Sequence, residues 1–487
     1  MAWVALTPLI VALWQHARTS RALWSRRAFL LGLTTGIAYF AGTVYWTGGV
    51  MAQYGGLSLP VAAAIAGLLV AYLALFPAFF GLFSHTLIVQ FGRRSVLLLP
   101  LAWTATEYGR LTLFGGFPWV LLGYSQVPWL PVAQIASIVG VFGVSTIVAA
   151  GNTAIAWALV SSERSRAIAP VAAVTVLGAI AFWGSFRLST GTLIAAGRPL
   201  RIGIVQGNVP QDQKWDPSQA RDIFNRYLRL TVSAINERAQ FILWPESATP
   251  FYFGVSGVET TELQELARRH HVAILIGSDQ WEAGTPPKVY NAAFLLQPDG
   301  TTGGVYRKVH LVPFGEYVPL KRILFFAAPL VEAVSDFSAG ASVNTLPVGG
   351  GRISTAICYE VVYPALIREG VLDGSELLTT ITNDAWFGRS SAPWQHFQMA
   401  TMRAIEQGRY LVRSANTGIS GVVDPYGRVL AASDLFVEGQ WTMDVRLIDQ
   451  RTVYAQIGDV VAWASVLVVA VALIVAARPV SIRKSHS

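Results

Sequence analysis

The sequence has 487 residues, of which 53% are hydrophobic and only 13% charged, against roughly 25% charged in a soluble domain, which excludes an ordinary soluble protein and points to a membrane-embedded chain. The formal net charge of +8 does not require a nucleic-acid partner, because the Arg and Lys residues fall in short clusters between apolar runs, where the positive-inside rule puts them. A single cysteine, Cys358, excludes an intrachain disulfide framework and a thiolate zinc cluster.

Membrane spans need about 20 apolar residues. Runs of that kind are Phe29 to Thr47, Leu57 to Phe83, Val96 to Leu113, Leu130 to Leu159, Ile168 to Phe186 and Val460 to Ala477. The earlier run Trp3 to Trp14 is short and is followed by arginines, not by a small-residue cleavage site, so it does not read as a cleaved signal peptide. Arg18, Arg21, Arg26 and Arg27, then Arg93 and Arg94, then Arg164 and Arg166 mark cytoplasmic loops, whereas the loops Gly48 to Gly56 and Gly115 to Pro128 have no Lys or Arg and face outward. Alternation puts the chain after Phe186 on the outer side and returns the last helix to a cytoplasmic tail with Arg478, Arg483 and Lys484. The expected organisation is a transmembrane bundle over 1–187, an outer domain over 188–455, and a last helix with its tail over 456–487. Within the bundle, Glu107 and Arg110 stand three apart and are expected to pair across a turn, locking helix packing near GGFPW.

The outer domain alternates β-rich runs with helical ones. The strands are read at LRIGIVQ, FILWP, VAILIGS, NAAFLLQ, RISTAIC, LLTTITN, YLVRSAN and SGVVD, and the helices at Pro217 to Ala239, Glu259 to His270 and Trp394 to Gln407. Near-continuous apolar strands separated by helices predict an α/β layered domain with a covered sheet. Its chemistry is expected beyond the carboxyl ends of strands. Glu246, Lys308 and Cys358 stand at or close after such ends. A thiol needs a base to become a nucleophile, and the carbonyl it attacks needs a cation or N–H groups where its oxygen turns negative. Glu246 supplies the first and Lys308 the second. On the residues alone, Cys358 reads equally well as a packed core thiol. His270, His271, His310 and His396 show no metal spacing, and His310 or His396 reads equally well as a hydrogen-bonded structural residue.

WPES (Trp244 to Ser247), RKVHLVPFGEYVP (Arg307 to Pro319), ICYE (Ile357 to Glu360) and NDAWFG (Asn383 to Gly388) occur in this order, together with QGNVPQDQKWD, PWQHFQMATMRAIE and the membrane motif GFPWVLLGYSQ. Together they resemble the apolipoprotein N-acyltransferase family, whose outer domain is similar to the nitrilase, or carbon–nitrogen hydrolase, superfamily. The resemblance covers nearly the whole chain. It implies a nitrilase-like α-β-β-α sandwich inserted before the last transmembrane helix, and a catalytic triad that lands on Glu246, Lys308 and Cys358. It implies supporting roles for Glu316, Tyr359 and Glu360, and substrate-side aromatics at Trp215 and Trp386. The implied activity moves an acyl chain from a phospholipid to the α-amine of a diacylglyceryl-cysteine at the amino terminus of an apolipoprotein, through a Cys358 thioester. The implied location is the bacterial inner membrane with the catalytic domain on the periplasmic side. No cofactor or metal is expected. The family pattern has one more amino-terminal membrane helix than this sequence shows, and the charge pattern puts Met1 on the side where such a helix would exit. The apolar run Phe325, Phe326, Ala327, Ala328, Pro329, Leu330 and Val331 is expected to be a membrane-dipping arm or lid. A membrane-bound amidase or nitrilase using the same triad with water as acceptor is the rival expectation.

Overall fold

The computed structural model describes residues 1–20, 22–162, 164–255, 257–313, 315–317 and 337–478. The expected arm at Phe325 to Val331 and the tail beyond 478 lie outside the described residues.

The amino-terminal part is helical. Among the described residues four helical segments are long and apolar enough to cross a membrane, Leu59–Leu97, Ala136–Val160, Ile168–Ala195 and Val460–Ala477; the pair Arg26–Thr43 and Trp46–Gln53, bent by 54°, makes a fifth if taken as one span. Only 6% of the apolar window in Ile168–Ala195 is buried, so that helix needs lipid around it to satisfy its surface. Helix 26–43 packs backbone to backbone on helix 59–91: a Cβ on Gly32 would sit 2.1 Å from the Pro77 carbonyl oxygen. Small residues permit this approach where no hydrophobic effect drives helices together.

Two expectations change here. The run Val96 to Leu113 is not one continuous helix: it begins in a 3-10 turn over Gly92–Leu97 and continues as a 14-residue helix, Leu99–Thr112. Glu107 and Arg110 do not chiefly bond each other. Glu107 Oε1 accepts the Leu122 N–H at 2.7 Å, and Arg110 Nη1 donates to the carbonyls of Phe117 (3.0 Å) and Trp119 (2.6 Å). The two charges are buried by the backbone of the GGFPW loop, which they hold in place. The short run Trp3 to Trp14 lies within Ala2–Ala5 and Thr7–Thr19, with Leu9, Ile10 and Leu13 buried. Asn152 Oδ1 accepts the N–H groups of Leu6 (2.8 Å) and Thr7 (3.1 Å), which satisfies donors that the first helical turn leaves open.

Among the described residues the chain after the bundle has twelve strands: β1 Arg198–Gln206, β2 Phe241–Leu243, β3 Ala273–Glu282, β4 Lys288–Leu296, β5 Thr302–Arg307, β6 Thr345–Val348, β7 Gly351–Ile357, β8 Leu377–Thr382, β9 Leu411–Ala415, β10 Gly421–Val423, β11 Val429–Ala432 and β12 Gly439–Leu447. They form two six-stranded sheets, ordered β12-β1-β2-β3-β4-β5 and β11-β10-β9-β8-β7-β6. The centre of each is parallel, β1 with β2 and β3, and β7 with β8 and β9. One face of each sheet meets the other through Ile202, Ile204, Leu243, Leu275, Ile353, Ile357, Ile381 and Val412, all fully buried. Helices Ala220–Asn236 and Gly257–His270 cover the outer face of the first sheet. Helices Pro364–Leu372 and Ala392–Gln407 cover the second, and their apolar sides share one buried cluster with Phe40, Trp46, Trp119 and Phe142 of the bundle. The layers therefore run helix, sheet, sheet, helix, with the last layer resting on the membrane bundle.

Candidate active site

Parallel strands end on one side of each sheet, and the candidate residues follow those ends. Glu246 comes three residues after β2, Lys308 directly after β5, Cys358 directly after β7 and Asn383 directly after β8. The two sheets are packed face to face, so these ends meet.

The Lys308 ammonium is 1% exposed. It donates to Glu316 Oε1 at 2.8 Å and lies 3.6 Å from Glu246 Oε1. Burial alone would lower its pKa; Glu316 and then Glu246 reverse that and hold it above the ordinary lysine value. Asn291 Nδ2 bridges the two carboxylates, at 2.7 Å from Glu246 and 3.2 Å from Glu316. The Asn383 N–H donates to Glu246 Oε2 at 2.8 Å, and the Val312 N–H to Glu316 Oε2 at 2.8 Å. Glu246 is thus fixed by three partners with one oxygen beside the cation.

Cys358 is buried and has φ 53°, left-handed backbone that residues with a Cβ seldom adopt. Burial and then Glu246 push its thiol above the ordinary range, while Lys308 opposes them. Burial thus favours the neutral thiol, and the Glu246 carboxylate and Lys308 ammonium act on it in opposite senses. Glu360, fully buried behind it, accepts from the Tyr306 hydroxyl at 2.8 Å and from the N–H groups of Val309 (2.7 Å), His310 (3.0 Å) and Ile357 (2.7 Å). It pins the segment after β5 to the end of β7. Burial pushes its carboxyl up to about 7. Tyr359 and Tyr363 face the membrane bundle: their hydroxyls meet the Gly115 and Gly116 carbonyls at 3.2 to 3.4 Å, and Trp119 stacks on Tyr359. His310 lies against Tyr363 with ring centroids 3.8 Å apart, and burial and then Lys308 lower its pKa to about 4.

Trp215 is half exposed, beside Lys214, whose buried ammonium donates to the Glu246 carbonyl at 3.2 Å. Trp386 stands edge-on to Tyr54 of the bundle, and Tyr54 donates to the Ala385 carbonyl at 3.0 Å. Glu246, Lys308 and Glu316 come together, Cys358 lies within their electrostatic reach, and Tyr359 and Glu360 follow it in the chain with side chains turned to the bundle and to the segment after β5; Trp215 lies in a turn and Trp386 in the 3-10 helix Asp384–Phe387. Sequence reasoning missed Asn291, Lys214 and Asn383. Asn291 lies within β4, and β4–β5 pairing sets its carbonyl opposite the Lys308 N–H at 2.8 Å, a register no single-sequence signal carried. Among the described residues no group of three or more His, Cys, Asp or Glu side chains is arranged to hold a metal ion.

This sheet pair and strand-end site define a carbon–nitrogen hydrolase domain, and residues 201–457 match the Carbon-nitrogen hydrolase family model. Residues 1–154 match the model of the apolipoprotein N-acyltransferase N-terminal domain. The apolipoprotein N-acyltransferase of Geobacter metallireducens is 40% identical over 99% of this chain and 92% of its own length; that of Methylococcus capsulatus is 38% identical over 94% and 89%. Among solved structures, a Helicobacter pylori carbon–nitrogen hydrolase aligns with TM-score 0.40 at 16% identity, over 51% of this chain and 89% of that one. The chain belongs to the apolipoprotein N-acyltransferase family. It is a membrane protein and an acyltransferase.

Proposed function

We propose that the chain transfers an acyl chain from a phospholipid to the α-amine of the diacylglyceryl-cysteine of an apolipoprotein, by way of a thioester on Cys358. The observation that carries this is the buried Lys308 ammonium, held between Glu246 and Glu316 and acting electrostatically on the buried thiol of Cys358, whose backbone has positive φ. In the first half-reaction Cys358 Sγ attacks the ester carbonyl as Glu246 takes the thiol proton. Lys308 and backbone N–H groups after Cys358 stabilise the oxyanion. The ester C–O bond then breaks, Glu246 returns the proton to the departing alkoxide, and a lysophospholipid leaves. In the second half-reaction a neutral amine attacks the thioester, Glu246 accepts its proton, the C–S bond breaks and the proton passes to the sulfur. A free α-amine titrates near pH ~8, so this step favours mildly alkaline conditions.

Glu316 orients Lys308, Glu360 steadies the nucleophile's flanks, and Tyr359 joins them to the bundle; Trp215 and Trp386 flank the substrate entrance. Residues 1–187 act as the membrane bundle, 188–455 as a periplasmic catalytic domain at the bacterial inner membrane, and 456–487 as the last anchor and tail. Supporting the topology, Arg18 donates to the Val160 carbonyl, bringing two arginine-flanked loops to one end of the bundle, while Gly115, Gly116 and Trp46 meet the catalytic domain at the other. The test is purified enzyme given a phospholipid with a labelled acyl chain and a diacylglyceryl-cysteinyl peptide. Label on the peptide amine supports transfer. Free labelled fatty acid without labelled peptide means water is the acceptor, and the reading fails.

A further inference from the structure

The positive φ of Cys358 has to be held by its surroundings, and the holding groups are identifiable. Ahead of it, Glu360 Oε2 takes the Ile357 N–H at 2.7 Å. After it, the Cys358 carbonyl oxygen lies 3.1 Å from Nε2 of His396. His396 is completely buried, on helix 392–407, its ring beside Trp119 of the bundle (centroids 5.4 Å apart) and Phe387 (6.1 Å). Its other nitrogen, Nδ1, is 3.1 Å from Asp384 Oδ1 and 3.0 Å from Arg413 Nη2, and Arg413 also donates to Asp384 Oδ2 at 2.8 Å.

These contacts fix the ring's proton. A carbonyl only accepts, so Nε2 must carry a hydrogen. If the ring is neutral, Nδ1 accepts from Arg413; if it is charged, the Nδ1–H donates to Asp384. In both states Nε2–H points at the Cys358 carbonyl. Burial, then Arg413, lowers the ring's pKa and favours the neutral form. A trans peptide is planar, with its C=O and N–H on opposite sides. A clamp on the Cys358 carbonyl therefore also fixes the direction of the Tyr359 N–H.

We propose that His396 is a positioning residue for the nucleophile: by gripping the Cys358 carbonyl it aims the Tyr359 N–H at the oxygen that becomes negative when Sγ attacks. This rests on Cys358 being the acyl carrier. Lys308 approaches the oxyanion from the other sheet, and the buried Arg413–Asp384 pair keeps the imidazole from turning. Tilting a donor by a few tenths of an ångström weakens it steeply in the transition state, where its effect is largest.

The geometry separates two amide substitutes. A glutamine amide reaches where Nε2 stands; an asparagine amide stops near Nδ1. The experiment measures Cys358 thioester formation by full-length protein in mixed micelles of phosphatidylethanolamine and phosphatidylglycerol, and in parallel alkylation of the thiol by iodoacetamide, which needs no oxyanion donor. Wild type must form the thioester; if it does not, the acyl-carrier reading itself falls. Given that it does, His396→Phe and His396→Asn should lower kcat for thioester formation by about 10- to 100-fold, with KM for lipid changed less than about twofold. Alkylation should stay within about threefold of wild type, and His396→Gln should recover most of the rate, since it restores the one donor. If His396→Phe fails to fold, the Asn and Gln variants decide. Equal rates for Asn and Gln, or alkylation falling in step with acylation, would overturn the proposal.

Discussion

Lys308 shows how a charge is kept inside this protein. Its ammonium is 1% exposed and is flanked by Glu246 and Glu316; removing one member of such a group leaves the others buried and unpaired, at a cost of about 3–5 kcal/mol. Lys308→Met should therefore lower the melting temperature and also cut thioester formation by roughly 100-fold or more, because the oxyanion loses its cation. Thermal unfolding in detergent and adduct mass checks both; normal acylation would mean that Lys308 is structural only. Asp279 makes a different prediction. It is 6% exposed, accepts from the Ser247 hydroxyl at 2.7 Å, and burial pushes its carboxyl up to about 6. A carboxyl raised in the folded state contributes stability that is full below its unfolded value, near pH ~4, and is lost as pH rises through its folded value. Above about pH 6 the protein holds a buried charge at a net cost of up to about 2–3 kcal/mol, even with the Lys214 ammonium nearby. Asp279→Asn should raise the melting temperature at pH ~7.5 more than at pH ~4. A shift of equal size at both pH values would contradict this.

The loop GGFPW is the element that joins bundle to site. Phe114, Gly115 and Gly116 all have positive φ, 55°, 89° and 77°. A Cβ on Gly116 would lie 1.9 Å from the Leu111 carbonyl oxygen, so Gly116→Ala must move the backbone. The Tyr359 and Tyr363 hydroxyls would lose their acceptors, and thioester formation should fall about tenfold while the catalytic domain stays folded, a loss on the scale of 1–3 kcal/mol for one displaced backbone contact. Unchanged kinetics would show that the loop is only a spacer. Much of this level was legible in the sequence. Each of the eight strand runs read from β-rich composition is a strand, because apolar β-branched residues covered on both faces leave a strong signal. The missed strands explain themselves. TGGVYR carries two glycines, TLPV a proline, VLAA is short, and GQWTMDVRL is an edge strand with mixed polarity. Glu246 and Cys358 stood out because they follow strands that were read as such, and Lys308 because it stands shortly after GGV in RKVHLVPFGEYVP. Asn291, Lys214 and the clamp at His396 did not, because only sheet register and helix placement bring them to Glu246 and Cys358. Apolarity alone did not reveal the turn that starts the helix in Val96 to Leu113, or the loop whose backbone hydrogen-bonds Glu107 and Arg110.

At the scale of the molecule, one apolar cluster runs from Phe40 and Trp119 of the bundle into Phe397 and Met402 of the catalytic domain, so the site is built on the membrane part and not tethered beside it. Cys358 is the only cysteine, which makes the topology directly measurable in a Cys358→Ala background. Both Ser162 and Thr301 are exposed. In intact spheroplasts a membrane-impermeant maleimide should label Thr301→Cys, in the outer domain, and spare Ser162→Cys, in an arginine-flanked loop, until the membrane is opened; the reverse pattern would invert the orientation. The central claim is that the single thiol carries the acyl chain. Intact-mass measurement of the full-length protein after incubation with a phospholipid of one defined chain should show one added acyl group, absent from Cys358→Ala and discharged when a diacylglyceryl-cysteinyl peptide is added. No adduct under any lipid condition, or an adduct that persists in Cys358→Ala, would contradict it.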